Sequence, residues 1–216
     1  MVKAVFLDVG ETLVDETRDW EAWADHLGVP RLTWLGVIGG IAARGEHHRT
    51  VFDRLAPGID VVAADAARRA QGLFDGYRPS DLYPDALPCL RDLKAAGYLV
   101  GIAGNQPASV EVFLRALDAT VDVVASSASW GIEKPSPAFF ARIVAEAGVE
   151  AAEVAYVGDR VDNDVMPAAD AGLVAVHLRR GPWGHLQADW PEVARAAIRV
   201  DSLAELAPAL AAILSR

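Results

Sequence analysis

The sequence has 216 residues, a formal charge of −10 and a pI near 4.9, and 52% of its residues are hydrophobic. This length and composition are typical of one large domain, or a core plus a smaller insert, and they exclude a disordered tail. The acidic balance and the lack of a basic stripe argue against nucleic acid as a partner, because phosphate neutralisation requires a basic face.

The sequence also argues against a membrane as a partner. No run approaches about 18 apolar residues, the length that a membrane-spanning helix needs. The single cysteine, Cys89, has no second cysteine for a disulfide and lies among leucines, which favours a packed side chain over a nucleophile. We therefore expect a cytoplasmic protein, and the sequence leaves open whether it is a monomer or a homodimer.

The first predicted element is a short buried strand, Ala4–Leu7, which ends in the polar residue Asp8. A helix-rich block over residues 17–74 follows, and no convincing strand pattern interrupts it. Its predicted features are an amphipathic stripe of Trp20, Trp23 and Leu27 and further helices over residues 32–43 and 60–73.

After this block, helices alternate with strands. The predicted helices are residues 85–96, 107–117, 138–147, 165–171 and 203–214, and the predicted strands are residues 98–103, 121–125, 154–157, 173–178 and 198–200. Apolar strands that alternate with helices predict a parallel sheet covered on both faces. The predicted fold class is therefore α/β, a doubly wound, Rossmann-like parallel sheet of residues 1–14 and 84–216, with an inserted α-helical domain of residues 15–83.

Polar residues and glycines follow the predicted strands at the edge of the sheet where ligands bind in such folds. They are Asp8, Gly104, Asn105, Lys134, Gly158, Asp159, Asp162, Asn163 and Asp164. Crowded carboxylates need a cation, which favours a functional site over solvated loop charges. Asp8 is the strongest candidate, because an acid that ends a buried strand is costly unless it is used. Asp162 has a simpler alternative, as the N-cap of a helix.

Four segments together resemble the motifs of the haloacid dehalogenase-like hydrolase superfamily, in the family's order. They are VFLDVGETL at residues 5–13, IAGN at 102–105, KPSP at 134–137 and VGDRVDND at 157–164. Each motif alone is weak evidence, but four in order, each near a predicted strand end, are strong evidence. The resemblance implies that the helical insert is the family's first type of cap, an α-helical lid over the site.

The resemblance also implies a role for each matching residue. Asp8 is expected to attack phosphorus and form an aspartyl-phosphate, while Lys134 neutralises both Asp8 and the transferring phosphoryl group. Thr12 is expected to orient the loop after Asp8 through its hydroxyl. The expected ligands of Mg²⁺ are Asp8, Asp159, Asp164 acting through water, and the backbone carbonyl of Gly10.

Two positions depart from the family pattern. Family phosphatases carry a second aspartate, the general acid and then base, where this sequence has Gly10. The second motif normally supplies a Ser or Thr hydroxyl to the phosphoryl oxygen, where this sequence has Gly104, and we assign Gly104 and Asn105 to substrate binding. Loss of a general acid typically costs about 10²–10⁴ in rate. Glu11 is the candidate replacement, and the alternative is that it faces solvent or pairs with an arginine.

The motifs are also compatible with three alternatives to a phosphatase. A 2-haloacid dehalogenase is disfavoured, because family dehalogenases lack the metal, have a neutral fourth motif and carry Tyr at the position of Gly10. A phosphonatase requires a cap lysine for a Schiff base, and residues 15–83 contain no lysine. Gly10 and Gly104 favour a catalytically weak binding or regulatory module, but a scaffold has no physical reason to collect the other motif residues. A phosphatase acting on a small phosphorylated metabolite is therefore the predicted function.

Substrate choice is expected to lie in the helical insert. Its basic cluster is Arg44, His47, His48 and Arg49. This cluster could pair with a carboxylate or second phosphate of the substrate, or it could be a set of cations at a helix C-terminus. Trp20, Trp23 and Trp34 are predicted to form the core of the insert. The segment RRGPWG at residues 179–184 is predicted to line the site rim or to form a subunit contact.

Overall fold

The computed structural model describes residues 1–117 and 121–213. Its strands are β1 (Ala4–Leu7), β2 (Leu99–Gly104), β3 (Val123–Ser126), β4 (Val154–Gly158), β5 (Val174–Leu178) and β6 (Ile198–Val200). Its helices are α1 (Thr17–Leu27), α2 (Arg31–Ala43), α3 (Thr50–Leu55), α4 (Val61–Ala70), α5 (Ala86–Ala95), α6 (Ala108–Ala116), α7 (Ser127–Trp130), α8 (Pro137–Ala147), α9 (Met166–Asp170), α10 (Gly181–Leu186) and α11 (Leu206–Ile213). Among the described residues, each helix is too short or too polar to cross a membrane.

The six strands form one parallel sheet in the order β3-β2-β1-β4-β5-β6. β1 lies at the centre, where Leu7 is paired with Ile102 of β2 on one side and with Val157 of β4 on the other. The strand order reverses at β1, and open α/β sheets bind ligands beyond the carboxyl ends of the strands at such a reversal. The predicted doubly wound α/β fold is confirmed, and its switch point lies at Asp8.

The central strands are buried on both faces, which explains their continuous apolar sequences. On one face, α8 packs an aromatic row against β4, with ring centroids 5.6 Å apart for Phe139 and Phe140 and 5.3 Å apart for Phe140 and Tyr156. The hydroxyl of Tyr156 donates a hydrogen bond to the carbonyl of Ala103 at 2.9 Å, so that its polar end is satisfied inside the core. These contacts tie α8 to the strand that leads into the fourth motif.

The chain forms two compact units, Met1–Asp15 with Arg78–Arg216 as the first unit and Glu16–Tyr77 as the second. The second unit is shorter than the predicted insert of residues 15–83, because Asp15 and residues 78–83 belong to the first unit. There, the N–H of Tyr83 donates to the carbonyl of Leu13 at 3.0 Å, and Val14 forms a bridge with Leu82.

The core of the second unit is aromatic, but Trp20, which was predicted as part of it, is only half-buried. Trp23 and Trp34 are buried, and their rings lie 4.7 Å and 5.5 Å from the ring of Phe52. The guanidinium of Arg68, also buried, lies 4.3 Å from the ring of Trp23 and pairs with Asp19 at 2.5 Å. A buried arginine is therefore paired with an acid and stacked on an aromatic ring.

One strand and one helix in the second half of the chain begin later than the sequence predicts. The strand predicted from residue 121 begins at Val123, because the carboxylate of Asp122 accepts hydrogen bonds from the N–H of Val100 and from Lys94, at 2.7 Å and 2.8 Å, ahead of the strand. The helix predicted over residues 165–171 is preceded by a turn of π-helix, Val161–Val165. That turn carries the acidic residues of the fourth motif.

Some helices of the structure differ from the predicted ones. α3 and α7 were not predicted, and the segment at residues 179–184, which was predicted to line the site rim or to form a subunit contact, contains the start of α10. Its Pro182 lies in the first turn, where the missing N–H of proline is tolerated. The last predicted helix begins as a 3-10 turn, Leu203–Glu205, and its predicted end at Leu214 lies outside the described residues.

The buried position of Cys89 gives a testable prediction. Burial, reinforced by the charges of Asp85 and Asp92, raises the pKa of its thiol to about 12. The thiolate is the reactive form, so we expect the native protein to resist iodoacetamide at mildly alkaline pH and to be labelled completely after unfolding in urea. Intact mass before and after treatment measures this, and rapid labelling of the native protein would contradict the packed position.

Candidate active site

Asp8 directly follows β1 at the centre of the sheet. Its N–H donates to the carbonyl of Val157 at 2.9 Å, which continues the parallel ladder one residue past the strand. The residue is 7% exposed, and its Oδ1 lies 2.8 Å from Nζ of Lys134. The sheet therefore fixes the backbone of Asp8, and an ion pair orients its carboxylate.

β4 and the π turn after it place two further carboxylates beside Asp8. Asp159 directly follows β4, and its carbonyl accepts a hydrogen bond from Nε2 of His177 at 3.1 Å. Asp164 lies in the π turn, and its Oδ2 accepts the N–H of Arg160 at 3.0 Å. One oxygen from each of Asp8, Asp159 and Asp164 lies within 4.8 Å of the others. The structure thus brings together the three carboxylates that the sequence assigned to a metal.

Lys134 is 3% exposed and lies between two of these carboxylates. Its Nζ is 2.8 Å from Oδ1 of Asp8 and 2.6 Å from Oδ1 of Asp164. The side chain of Asn105 fixes its backbone, since Nδ2 donates to the carbonyl of Lys134 at 2.9 Å and Oδ1 accepts its N–H at 2.8 Å. These contacts position the backbone of the lysine, and the assignment of Asn105 to substrate binding stays a prediction.

The electrostatics of this cluster follow from its burial. Burial, and then the charges of Asp164, Asp8 and Glu11, raise the pKa of Asp159 well above its usual value. Burial and the charge of Asp8 raise the pKa of Asp164 to about 6, although the ion pair with Lys134 opposes the rise. For Lys134, burial acts to lower the pKa, but the charges of Asp164 and Asp8 outweigh it and hold the pKa well above its usual value. The lysine is therefore charged, while the carboxylates repel one another.

The donor set of the cluster fits Mg²⁺. Three buried carboxylates face one ammonium group, which leaves an excess of negative charge that a divalent cation would neutralise. The donors are carboxylate oxygens, and Mg²⁺ prefers hard oxygen ligands from one or two carboxylates together with substrate phosphate oxygens and water. The residues present thus fit the cation that the resemblance implies.

Two glycines make room for this cluster. A Cβ at Gly104 would overlap Oδ1 of Asp8, and a Cβ at Gly158 would overlap the carboxylate of Asp164. The departure of the second motif from Ser or Thr therefore has a structural counterpart, because the carboxylate of Asp8 occupies the space of the missing side chain. Any side chain at position 104 requires Asp8 to move.

The nucleophile loop, defined here as residues 8–14, turns sharply after Gly10. The N–H groups of Leu13 and Val14 both donate to the carbonyl of Val9 at 2.9 Å, and Gly10 forms a bridge with Val14. Glu11, and not Gly10, has the left-handed backbone, with φ of 51°, and it is the one non-glycine residue with positive φ in the described part of the chain. Such a conformation is strained for a glutamate and persists only where the surroundings impose it.

The side chains of the loop differ from expectation. The carboxylate of Glu11 is buried and its Oε2 accepts the hydroxyl of Tyr83 at 2.6 Å, so the alternative that Glu11 faces solvent is wrong. Thr12 is fully buried, and among the described residues its hydroxyl has no hydrogen-bond partner. The backbone of Thr12 is bonded on both sides: its N–H donates to the carbonyl of Val9 at 3.3 Å, and its carbonyl accepts Nη1 of Arg180 at 2.8 Å.

Asp162 does not belong to the carboxylate cluster. Its carboxylate pairs with Nη2 of Arg160 at 2.7 Å and accepts Nε2 of Gln187 at 3.2 Å. Burial acts to raise its pKa, but the hydrogen bond from Arg160 outweighs burial and lowers the pKa. The interpretation of Asp162 as a helix N-cap is wrong, because the residue lies inside the π turn, one residue beyond its start at Val161.

The basic cluster of the second unit contains its own counter-charge. Nε of Arg44, at the C-terminus of α2, lies 2.6 Å from Oε1 of Glu46. The ring of His47 lies 4.2 Å from that of His48, and its Nδ1 accepts the N–H of Arg49 at 3.2 Å. The helix-end position of Arg44 is confirmed, whereas contact of Arg44 and His47 with a substrate stays a prediction.

Sequence reasoning missed several residues that hold the site. Tyr83 lies in a stretch that was interpreted as turn formers, and Gln187 anchors the π turn by accepting the N–H of Val161 at 2.6 Å. Two residues late in the chain also contact the site: His177 contacts Asp159, and Arg180 contacts Thr12. The only available signal was the unusual composition of the segment that contains Arg180.

Comparison with known proteins gives the family. A model described as haloacid dehalogenase-like hydrolase matches residues 2–172. The chain therefore belongs to the haloacid dehalogenase-like hydrolases, as its motifs predicted, and it is a hydrolase.

The individual relatives and solved structures share about a fifth to a third of the aligned residues with this chain. The glyceraldehyde 3-phosphate phosphatase of Methanopyrus kandleri is 28% identical over 209 residues, which cover 87% of this chain and 88% of the relative. The (S)-2-haloacid dehalogenase 4A of Burkholderia cepacia is 33% identical over 144 residues, 64% of this chain and 59% of the relative. The crystal structure of a HAD phosphatase from Thermococcus onnurineus has a TM-score of 0.60 at 22% identity, covers 97% of this chain and 98% of its own, and shows the shared fold.

Proposed function

We propose that the protein is a Mg²⁺-dependent phosphatase that hydrolyses a small phosphorylated metabolite through an aspartyl-phosphate on Asp8. The observation that carries the proposal is the joint burial of Asp8, Lys134, Asp159 and Asp164 at the switch point of the sheet. The phosphatase from Methanopyrus, which is similar over most of both chains, supports a phosphorylated substrate.

The reaction has two displacement steps at phosphorus. Asp8 attacks the phosphoryl group through Oδ2, since Oδ1 is paired with Lys134. The bond from Asp8 to phosphorus forms, the bond from phosphorus to the leaving oxygen breaks, and that oxygen takes up a proton. Water then displaces Asp8 from phosphorus, which releases inorganic phosphate and restores the carboxylate.

Lys134 stabilises charge throughout this sequence. Asn105 holds its backbone. Its ammonium group lies beside Asp8 and is positioned to offset negative charge on the transferring phosphoryl group. Asp8, Asp159 and Asp164, with the carbonyl of Gly10, would hold Mg²⁺. Bound Mg²⁺ neutralises phosphoryl oxygens and orients the substrate.

The second unit, residues 16–77, is proposed as the cap that selects the substrate, and Arg44 and His47 as its contacts with an anionic group. Its insertion between β1 and the rest of the sheet supports this assignment. A cytoplasmic location, which the sequence analysis expects, is proposed as well.

The proposal is tested by assaying phosphate release from an aryl phosphate and from a panel of small phosphorylated metabolites, with Mg²⁺ and with a chelator. We expect phosphate release in the presence of Mg²⁺ and no release in the presence of the chelator. Absence of release from every substrate would favour the binding or regulatory module that Gly10 suggests. Release of halide from a 2-haloacid without Mg²⁺ would favour the dehalogenase, which the acidic fourth motif at Asp159 and Asp164 disfavours.

The carboxylate cluster predicts a stabilising response to Mg²⁺. A concentration about 100 times the Kd would add about 2.7 kcal/mol to the free energy of unfolding, or roughly 5–10 °C in Tm for a chain of this size. Asp159→Asn should weaken the response, because it removes a ligand and relieves the repulsion. Asp162→Asn is the matched control, since Asp162 pairs with Arg160 outside the cluster. An equal response in both variants would contradict the metal assignment.

The stabilisation by Mg²⁺ should depend on pH. The folded, metal-free protein holds the proton of Asp164 more tightly than the unfolded chain, because its pKa rises from 3.8 to about 6. The stability of the metal-free protein therefore falls as the pH rises through this window. Metal binding requires the ionised carboxylate, so the increase in Tm caused by Mg²⁺ should grow over the same window. Melting curves in matched buffers, with and without Mg²⁺, measure both trends.

A further inference from the structure

Residues 180–184, which open α10, pack closely against the nucleophile loop, and the chemistry proposed above does not use them. A Cβ at Gly181 would lie 2.5 Å from Oε2 of Glu11, and a Cβ at Gly184 would lie 2.8 Å from the carbonyl oxygen of Leu178. Gly181 also has φ of 64°, which a side chain would strain. Gly181 thus allows this segment to approach the nucleophile loop, and Gly184 allows it to approach the end of β5.

The side chain of Arg180 is 11% exposed and contacts three residues outside its own segment. Its Nη1 donates to the carbonyl of Thr12 at 2.8 Å, and its Nη2 donates to Oδ2 of Asp85 at 2.5 Å. Its Cζ lies 4.1 Å from the centre of the ring of Tyr83. One guanidinium therefore connects the nucleophile loop with the residues that lead into α5.

The partners of Arg180 are themselves fixed. Oδ2 of Asp85 also accepts the hydroxyl of Ser202 at 2.7 Å and the N–H of Leu203 at 2.9 Å. The hydroxyl of Tyr83 donates to Glu11, and its N–H donates to the carbonyl of Leu13 at 3.0 Å. Consequently, the loop is held by Arg180 and Tyr83 at three successive residues, 11–13.

We propose that Arg180 is a positioning residue for catalysis, which acts through the carbonyl of Thr12 and the ring of Tyr83 to hold the nucleophile loop in its productive conformation. This inference rests on the proposed function. The loop carries Asp8 and the strained Glu11, and a strained conformation persists only when its surroundings over-determine it. Displacement of a reacting group by about 1 Å costs roughly 100-fold in rate, which gives such support a catalytic value.

The chemistry of arginine suits this role. A planar guanidinium directs separate N–H groups to two fixed acceptors while its face stacks on an aromatic ring. In this structure those acceptors belong to Thr12 and Asp85, and the ring belongs to Tyr83. A lysine ammonium is a compact point charge and lacks the planar face, so it cannot satisfy all three contacts.

The test compares Arg180→Ala and Arg180→Lys with Arg179→Ala, in the aryl phosphate assay with saturating Mg²⁺. Arg179 is the matched control, because its neighbouring guanidinium forms an exposed pair with Asp201 at 2.6 Å. We expect kcat to fall on the order of 10- to 100-fold in both Arg180 variants, with little change in KM. Arg179→Ala should keep the wild-type kcat. Guanidinium ion, added far below concentrations that unfold proteins, should restore part of the activity of Arg180→Ala.

Melting curves of the same proteins separate positioning from simple stability. An active wild type with equal kcat in Arg180→Ala and Arg179→Ala would overturn the inference about Arg180 alone. So would a loss of kcat that matches the unfolded fraction and does not respond to guanidinium ion. A wild type that hydrolyses no phosphate contradicts the proposed function itself, which distinguishes the two failures.

Discussion

Replacement of Asp8 by asparagine should abolish Mg²⁺-dependent hydrolysis of an aryl phosphate. The amide is nearly isosteric with the carboxylate but is a poor nucleophile, so the covalent step fails while the fold survives. We expect kcat to fall by about 10⁴- to 10⁶-fold, the range found when a catalytic triad residue is removed. Lys134 keeps its second partner, Asp164, at 2.6 Å, which leaves the lysine paired inside the core.

The control for this variant is Asp170→Asn, which removes a carboxylate from an exposed pair with Arg195. It should keep wild-type activity, because exposed surface pairs such as Asp170 with Arg195 contribute little to stability. Circular dichroism and melting curves confirm that both variants are folded. Equal activity of Asp8→Asn and Asp170→Asn would remove Asp8 from the mechanism.

The fold could be predicted because its strands are fully buried. The run Ala4–Leu7 is apolar throughout and ends at Asp8, so both the strand and its boundary are evident in the sequence. Val174–Leu178 was predicted within one residue for the same reason. α10 was missed, because Gly181 and Pro182 are turn formers and only tertiary contacts decide that they open a helix.

The site could be predicted as far as strand ends and motifs determine it. Parallel strands bring their carboxyl ends to one edge, so the approach of Asp8 to Asp159 follows from topology. The supporting contacts could not be predicted, because they join distant parts of the chain. Arg180 contacts Thr12 across 168 residues, and neither residue carries a local sign of the other.

A second large effect is expected from the missing general acid. If Gly10 has removed the acid, the leaving oxygen departs with its charge, so aryl phosphates should be cleaved far faster than alkyl or sugar phosphates. Gly10→Asp should then raise turnover of alkyl phosphates by up to about 10²–10⁴-fold. Gly10 lies outside the left-handed region of backbone space, so an aspartate there avoids the strain of a positive φ. Rates across a series of leaving groups with different pKa values measure the effect.

Glu11 decides what the wild type does without an acid at position 10. Its carboxylate is buried and bound to Tyr83, and glutamine keeps an oxygen that accepts the same hydroxyl. If Glu11 supplies the proton, Glu11→Gln should slow alkyl phosphates and spare aryl phosphates, whose leaving groups need no proton. If Glu11 only shapes the loop, Glu11→Gln and Tyr83→Phe should change both substrate classes equally. A flat dependence on the leaving group in the wild type, unchanged by Gly10→Asp and by Glu11→Gln, would show that another group or a water molecule provides the proton.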